Sequence, residues 1–481
     1  MDNSSTPARS ASTDDSVEVV SLYAKTKKIY PRSVTGWFAS WRWVFVWLTQ
    51  IVYYATPWLL WNDRQAVLFD LGTRRFYIFG LVLHPQDFIY LTGLLIISAY
   101  LLFLFTAVAG RVWCGYACPQ TVYTEIFLWI EEKIEGNRIK RMKLDEGPWT
   151  AEKWARKGGK QLAWTLFSLW TGFTFVGYFT PIHTLVAEAM SLGFGPWEWF
   201  WVLFYAFATY GNAGHMREQV CKYMCPYARF QSVMFDKDTL VISYDTARGE
   251  PRGSRSRKAD PAKVGLGSCV DCGLCVQVCP TGIDIRQGLQ YECIGCAACI
   301  DVCDGVMDKM GYEKGLIRYA TQNGLANGWT RAQMMRRALR PRVLVYTGIL
   351  LLIVGAVGLS IWQRSPFKVD IVRDRASLAR QVEDGRIENV YRLQIMNATE
   401  ASQTYRVAVE GLADASVPEF SDVVLGPAEA RWITVSVQIP FERAQQAGAG
   451  VHPIFFDVQQ VQGDGSLPAL VREKSTFMIP R

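Results

Sequence analysis

Residues 269–303 read CVDCGLCVQVCPTGIDIRQGLQYECIGCAACIDVC, and the spacing of their cysteines decides how the chain is read. The run Cys-x2-Cys-x2-Cys-x3-Cys occurs twice, as Cys269, Cys272, Cys275 and Cys279, then as Cys293, Cys296, Cys299 and Cys303. This is the ligand spacing of a [4Fe–4S] cluster. Three thiolates in a tight loop hold three corners of a cubane. The fourth comes from elsewhere, because the chain diverges as it leaves the loop, and in two-cluster ferredoxins the last cysteine of each run serves the other cluster. The expected sets are therefore Cys269, Cys272, Cys275 and Cys303 for one cluster, and Cys293, Cys296, Cys299 and Cys279 for the other. Small residues such as Gly273, Gly295, Ala297 and Ala298 let the backbone wrap close and aim N–H groups at the sulfurs. Zinc, the competing occupant of Cys-x2-Cys pairs, needs two pairs per ion; four evenly spaced cysteines, twice, favour iron–sulfur. Asp304 rather than Pro follows Cys303, a departure that touches turn geometry and not ligation.

Outside this motif the 481 residues are half apolar, 13% aromatic and 20% charged, which excludes a disordered chain. Twelve cysteines in that length are too few for a small disulfide scaffold, and four histidines argue against a protein built on imidazole ligands. The apolar residues fall in five blocks, at 37–61, 87–110, 161–182, 197–212 and 343–362, each read as a membrane span. Trp and Tyr crowd the block ends, as an interfacial belt requires. Lys and Arg number 5 in 1–36, 3 in 62–86, 10 in 111–160, none in 183–196 and 19 in 214–342. By the positive-inside rule this alternation puts the N-terminus in the cytoplasm and residues 364–481 outside. The net charge of +7 is thereby a topology signal, and no nucleic-acid partner is expected. Residues 1–20, rich in Ser, Thr and Asp, read as a short disordered tail without a cleaved signal peptide.

The expected organisation is a cytoplasmic tail (1–36), four transmembrane helices with a cytoplasmic loop at 111–160 (37–213), and a cytoplasmic ferredoxin-like domain (214–342, cluster core about 262–310). A fifth transmembrane helix (343–363) and an outer domain (364–481) follow. The outer domain alternates apolar and polar residues at 389–397, 403–412, 431–441 and 452–462, with Gly, Pro and Asp turns between, the pattern of a β-sandwich. It has no cysteine, so it carries no thiolate metal site; binding or docking and a plain structural cap are both open to it.

Four cysteines remain. Cys114-Gly-Tyr-Ala-Cys118-Pro119 follows the second span and Cys221-Lys-Tyr-Met-Cys225-Pro226 follows the fourth, so RVWCGYACPQTVY and EQVCKYMCPYARF read as a repeat at the cytoplasmic membrane edge. On a helix, positions i and i+4 share a face, so each pair is expected to present two sulfurs together, with the proline perturbing or ending the local helix. Brought together, the pairs would make a cluster of up to four soft thiolates, suited to Cu(I), Zn or iron–sulfur centres. The opposing reading is that a Cys on a helix face is only packing; its repetition after two even-numbered spans favours function. His215, Met216 and Met224 are near enough in sequence to add soft or borderline ligands, but each alone is better read as structural. His84 and His183 fall in outer loops, where a plain loop histidine is the better reading than a quinone ligand. No Cys-x-x-Cys-His, Walker A or G-x-G-x-x-G motif is present.

The combination resembles the cytochrome c oxidase accessory protein family (CcoG, FixG or RdxA). It is carried by WCGYACPQ (113–120), CKYMCPYARFQ (221–231), a double ferredoxin motif before the last span, and the tail stretch DGRIENVYRLQIMN (384–397), which resembles that family's immunoglobulin-like domain. The paired motifs also recur in membrane ferredoxins of quinol dehydrogenase type. The resemblance implies an α-helical polytopic membrane protein of the bacterial cytoplasmic (inner) membrane, with a two-cluster ferredoxin-like domain inside and an immunoglobulin-like sandwich in the periplasm. It implies a cupric reductase that serves copper-site assembly of a cbb3-type oxidase. In that role Cys114, Cys118, Cys221 and Cys225 would handle a copper ion, and the eight ferredoxin cysteines would relay electrons on two [4Fe–4S] clusters. Its expected partners are membrane lipid, a cytoplasmic electron donor, copper-trafficking proteins and oxidase assembly factors, with a homodimer also open. A quinol dehydrogenase-type electron-transfer subunit and a non-enzymatic copper chaperone or assembly scaffold are the alternatives.

Overall fold

A computed structural model describes residues 28–257, 265–374, 379–382, 385–418, 422–462 and 469–480. The reading of residues 1–20 as a tail lies outside these described residues.

Two helices are long and apolar enough to cross a membrane: α2 (Phe88–Ala109), entered through the turn at Pro85, and the helix Pro341–Trp362. Almost none of their apolar windows is covered by protein (0% and 6%). A soluble core helix would be buried, so these surfaces call for lipid, and the protein is membrane-associated.

The expectation of about five such spans is corrected at the other three blocks. The first forms α1 (Trp37–Ala55), which stops at Thr56–Pro57, so the block yields 19 helical residues, one of them the buried Arg42. The third starts inside α6 (Ala151–Val176), whose first three turns carry Glu152, Lys153, Arg156, Lys157 and Lys160 and which ends six residues before the block does. The fourth, α8 (Pro196–Thr209), has 14 residues before the backbone widens into a π-turn at Tyr210–Met216. That is about 21 Å of helix, short of a hydrocarbon core of about 30 Å. α6 and α8 cross closely at Gly172, where a Cβ would stand 2.2 Å from the Val202 carbonyl oxygen.

The cytoplasmic loop expected at 111–160 is itself helical. It comprises α3 (Val112–Tyr116), α4 (Pro119–Glu135) and α5 (Arg138–Glu146), locked to α6 by buried charge. Glu131 lies 2.7 Å from Arg217 and 3.4 Å from Arg141; Glu135 lies 2.9 Å from both Lys157 and Lys160. Burial alone would raise the Glu131 carboxyl, but Arg217, Lys160 and Arg141 hold it below its ordinary value.

The ferredoxin-like unit packs under this end. Strands Val241–Tyr244 and Ile317–Ala320 pair antiparallel beside the helices Leu274–Gln277 and Ala298–Met310. It is tied to α1 by a cap across the chain. Gly36 offers no side chain, and the Asp301 carboxylate accepts the Phe38 and Ala39 N–H groups at 3.2 and 2.7 Å.

At the opposite end, residues 62–86 form not a bare loop but a small antiparallel sheet of Val67–Asp70, Arg75–Ile78 and Leu81–Leu83. Its Leu68, Tyr77 and Val82 pack on Ala428 of the sandwich. The loop expected at 183–196, which has no Lys or Arg, likewise holds a helix, α7 (Ile182–Ser191).

The sandwich follows the alternation in the sequence. One sheet orders Ala430–Ile439, Ile387–Asn397 and Phe367–Arg373, with Arg380–Gln381 on Ile387–Asn397; the other orders Val423–Leu425, Gln403–Glu410, Gly450–Gln462 and Leu470–Ile479. Phe367, Tyr391, Leu393, Tyr405, Phe456 and Phe477 fill the space between. The Tyr391 hydroxyl donates across it to the Thr476 carbonyl at 2.8 Å.

The sandwich is clamped to the membrane part by Asp87, 3% exposed, which meets Arg364 at 2.6 Å and Lys368 at 2.5 Å. Breaking a buried pair leaves an uncompensated charge, at a cost of about 3–5 kcal/mol. Asp87→Asn should therefore lower the thermal stability of the detergent-solubilised protein by about 3 kcal/mol, followed by intrinsic fluorescence. Asp422→Asn, at the exposed Arg406 pair, should leave it nearly unchanged.

Candidate functional site

The two ferredoxin loops adopt the same conformation. Asp271 and Gly273 in the first, and Gly295 and Ala297 in the second, all have positive φ (50°, 65°, 70° and 59°). Gly273 then caps the helix Leu274–Gln277, and Ala297 caps Ala298–Met310, so Cys275 and Cys299 sit in first turns. Each left-handed residue turns the chain around its sulfurs. Cys293 accepts the Gly295 N–H, Cys296 the Ala298 N–H and Cys275 the Val276 N–H.

The eight thiols face two small adjoining cavities. Cys269, Cys272, Cys275 and Cys303 line one; Cys279, Cys293, Cys296 and Cys299 line the other, and Cys275 touches both. Burial pushes Cys275 up to about 11 and Cys293 and Cys303 up to about 12, and raises Cys299 well above its ordinary value. Bare thiols in this setting keep their protons, and a bound metal centre is what turns such groups into thiolates. Four convergent sulfurs per cavity, N–H groups on the sulfurs and close-wrapped backbone all fit a [4Fe–4S] cluster. The ends differ: Cys272 is exposed to solvent, whereas Cys296 is buried toward the membrane part.

The four membrane-edge cysteines are arranged as a structural repeat, but not as two sulfurs on one helical face. Cys114 lies in α3, and Cys118 leaves the helix (φ −62°, ψ 128°) to cap α4. Cys221 lies in the π-turn Val220–Met224, and Cys225 (φ −77°, ψ 110°) caps α9 (Pro226–Met234). Each proline begins the next helix at its first position, where its missing N–H costs nothing, instead of ending the preceding one. In both pairs the second cysteine's N–H donates five residues back, Cys118 to Trp113 at 3.0 Å and Cys225 to Val220 at 2.8 Å.

The pairs meet within one chain. Cys114 interacts electrostatically with Cys118 and Cys221, and Cys225 with Cys118 and Cys221. Cys118 accepts the Gln120 and Thr121 N–H groups, and the Cys114 thiol donates to Gln231 Oε1 at 3.4 Å. Burial pushes Cys114 up to about 12 and Cys221 up to about 11. Among the described residues no three His, Cys, Asp or Glu side chains close tightly around a single ion.

The other candidate ligands scatter. Met224 is exposed, and His215 stands edge-on to Trp164, ring centres 6.1 Å apart. His84 and His183 lie at the far end of the helices from the thiols. His84 is buried, with its imidazole lowered to about 4 chiefly by desolvation; His183 sits in the first turn of α7, edge-on to Trp58.

The two sites touch through backbone. A Cβ on Gly115 would stand 2.8 Å from Cys296 Cα and from the Gly295 carbonyl oxygen; one on Gly295 would stand 3.0 Å from the Arg111 carbonyl oxygen. Tyr319 donates to that Gly295 carbonyl at 2.6 Å. Cys114 and Cys221 pack on the apolar cluster of Val278, Ile294, Cys296 and Ala298. Sequence reasoning missed Gly115, Arg111 and Gln231 here. Their only signal is position: Gly115 lies between the first two paired cysteines, Arg111 three residues before them and Gln231 six residues after the second pair.

Residues 216–322 match a family model described as a 4Fe-4S dicluster domain, and residues 91–137 one described as a 4Fe-4S binding domain. Residues 357–480 match one described as an IG-like fold at the C-terminal of FixG. The chain is similar to the nitrogen fixation protein FixG of Rhizobium meliloti, 39% identical over 427 residues that make up 82% of each chain. It is 40% identical over 404 residues to protein RdxA of Cereibacter sphaeroides, covering 82% of this chain and 84% of that one. Protein RdxB of the same organism is 38% identical over 84% of this chain and 86% of its own.

Because Gly115 has no room for a methyl group, Gly115→Ala should force the two loops apart. Cluster iron content, or the electron paramagnetic resonance (EPR) signal of one cluster, should change, while Gly158→Ala, with nothing within 4 Å, leaves both as they were.

Proposed function

The chain belongs to the FixG/RdxA family, and on that premise we propose that it is a cupric reductase, passing single electrons from a cytoplasmic donor to Cu(II) at the membrane edge. At the coarser level it is an iron–sulfur electron-transfer protein associated with a membrane. The observation that carries the finer reading is the backbone contact of Gly115 with Cys296, which seats the paired thiols directly on a cluster-binding loop.

Cys269, Cys272, Cys275 and Cys303 would hold one [4Fe–4S] cluster, and Cys279, Cys293, Cys296 and Cys299 the other. When bound, these clusters supply single electrons at low potential. The exposed Cys272 marks the end a donor reaches; the buried Cys296 marks the end that faces the copper site. Cys114, Cys118, Cys221 and Cys225 take the copper substrate. Soft thiolates favour Cu(I) over Cu(II), so one electron converts bound Cu(II) to the state these ligands prefer. The thiol protons leave as the metal binds, and Gln231 orients Cys114 while it is protonated.

In this reading α2 and the helix Pro341–Trp362 cross the membrane. The N-terminus and ferredoxin-like unit are cytoplasmic, and residues 364–481 face the periplasm of a bacterial inner membrane. The product serves copper-site assembly of a cbb3-type oxidase, with copper-trafficking proteins and assembly factors as partners.

A quinol dehydrogenase role draws support from one feature, a cavity of about 750 Å³ at the outer ends of α6 and α8. Phe175, Phe179, Trp197, Trp201 and Tyr205 line it, with Asp70 and Glu198 at hand. It opens at the far end of α8 from the thiols, about 21 Å of helix away, so it does not displace the copper reading. Quinol-dependent cluster reduction without copper dependence would establish it.

Cys114→Ser with Cys118→Ser should abolish Cu(II) reduction, followed with a Cu(I)-specific chelator, and leave cluster absorbance intact. Unchanged reduction would overturn the proposal.

A further inference from the structure

Helix α2 ends at Gly110, and the next residue is an arginine that the fold buries. Arg111 is 5% exposed, and its guanidinium donates to the Ala228 carbonyl. Other arginines buried at this end have carboxylates at hand: Glu125 for Arg42 at 3.6 Å, Glu131 for Arg141 and Arg217, and Asp236 for Arg340 at 3.0 Å. Among the described residues no carboxylate pairs with Arg111, and its Nε has no hydrogen-bond partner. A cation buried without a counter-charge is strongly destabilising, so a fold that keeps one supplies negative charge by another means.

The titratable groups that the charge of this guanidinium reaches are three thiols and the Tyr227 hydroxyl. Its charge acts on Cys114 and Cys221, one from each membrane-edge pair, and on Cys293 of the second ferredoxin run. Its backbone is part of the joint between the sites: the Arg111 carbonyl accepts the Gly115 N–H at 3.2 Å and abuts Gly295. Loaded with metal, both thiol sets become thiolate-rich and anionic. Each reduction adds one more negative charge within reach of this buried cation.

We propose that Arg111 is the shared counter-ion of the two sites. It is a positioning residue whose fixed charge stabilises the electron held at Cys279, Cys293, Cys296 and Cys299 and the copper-bound thiolates of Cys114 and Cys221. The copper half rests on the function proposed above; the cluster half does not. A cation on the membrane-facing side draws the electron away from the exposed Cys272 end, which gives transfer a direction without any moving part.

The test uses the full chain with loaded clusters in lipid nanodiscs, as Arg111→Met and Arg111→Lys. In an EPR-monitored redox titration, the Met variant should make one of the two clusters about tenfold harder to reduce, about 59 mV for a one-electron couple, and leave the other in place. The Lys variant should keep most of the original value. Cu(I) affinity, measured by chelator competition, should fall about tenfold in Met and be retained in Lys.

Unchanged potentials in a loaded Met variant would overturn the counter-ion role. A shifted potential with unchanged Cu(I) affinity would support the role at Cys293 and refute it at Cys114 and Cys221. If Met fails to load clusters, loading restored by Lys supports a charge requirement. Failure of both overturns it in favour of packing against Ala228. A chain that reduced no copper would still show the potential shift, so the two proposals fail separately.

Discussion

The organisation of this protein depends on one close approach: the turn carrying Cys114 lies on the loop carrying Cys296 with only glycine hydrogens between the peptide groups. Close-packed interiors do not tolerate an added methyl at such a contact without moving something. Here the parts that would move are a cluster-binding loop and a thiol pair. The cap of α1 by Asp301 and the Tyr319 hydroxyl on Gly295 brace the same joint from either side. A ferredoxin-like unit tethered by a linker would leave electron transfer to chance encounters; this one is fixed to the helices.

The two ends of the helical part use buried charge differently. At the end beside the ferredoxin-like unit Glu131 and Glu135 gather Arg141, Lys157, Lys160 and Arg217 into a network that pins α4, α5 and α6 together. At the sandwich end a single carboxylate, Asp87, holds Arg364 and Lys368 and so fixes the sandwich to the start of α2. In both places the charges are paired. Arg111 departs from that pattern, and it lies where metal-bound thiolates would complete the pair.

Much of this was legible in the sequence because it is local. Cysteine spacing specifies the loops, period-2 alternation specifies strands such as Ile387–Asn397, and uninterrupted apolar runs specify α2 and the helix Pro341–Trp362. What was not legible is long-range or runs against residue preference. The left-handed Ala297 repeats the geometry of Gly273 without being glycine. The cap on α1 comes from a residue more than 260 positions away. The paired thiols were misread locally, since i, i+4 spacing assumes one continuous helix and each proline instead starts a new one. Span number was overread because aromatic content raises apparent hydrophobicity in α8 without supplying length.

The central claim is that electrons held by the ferredoxin-like unit reach copper at the four-thiol site. The most direct measurement is a single-turnover experiment: reduce the full-length protein, remove the reductant, and mix it with Cu(II) in a stopped-flow instrument. Cluster reoxidation and Cu(I) formation are then recorded together. The account predicts one Cu(I) formed per electron lost from the clusters, at matching rates. Clusters that stay reduced in the presence of Cu(II), or Cu(I) that forms without cluster reoxidation, would contradict it.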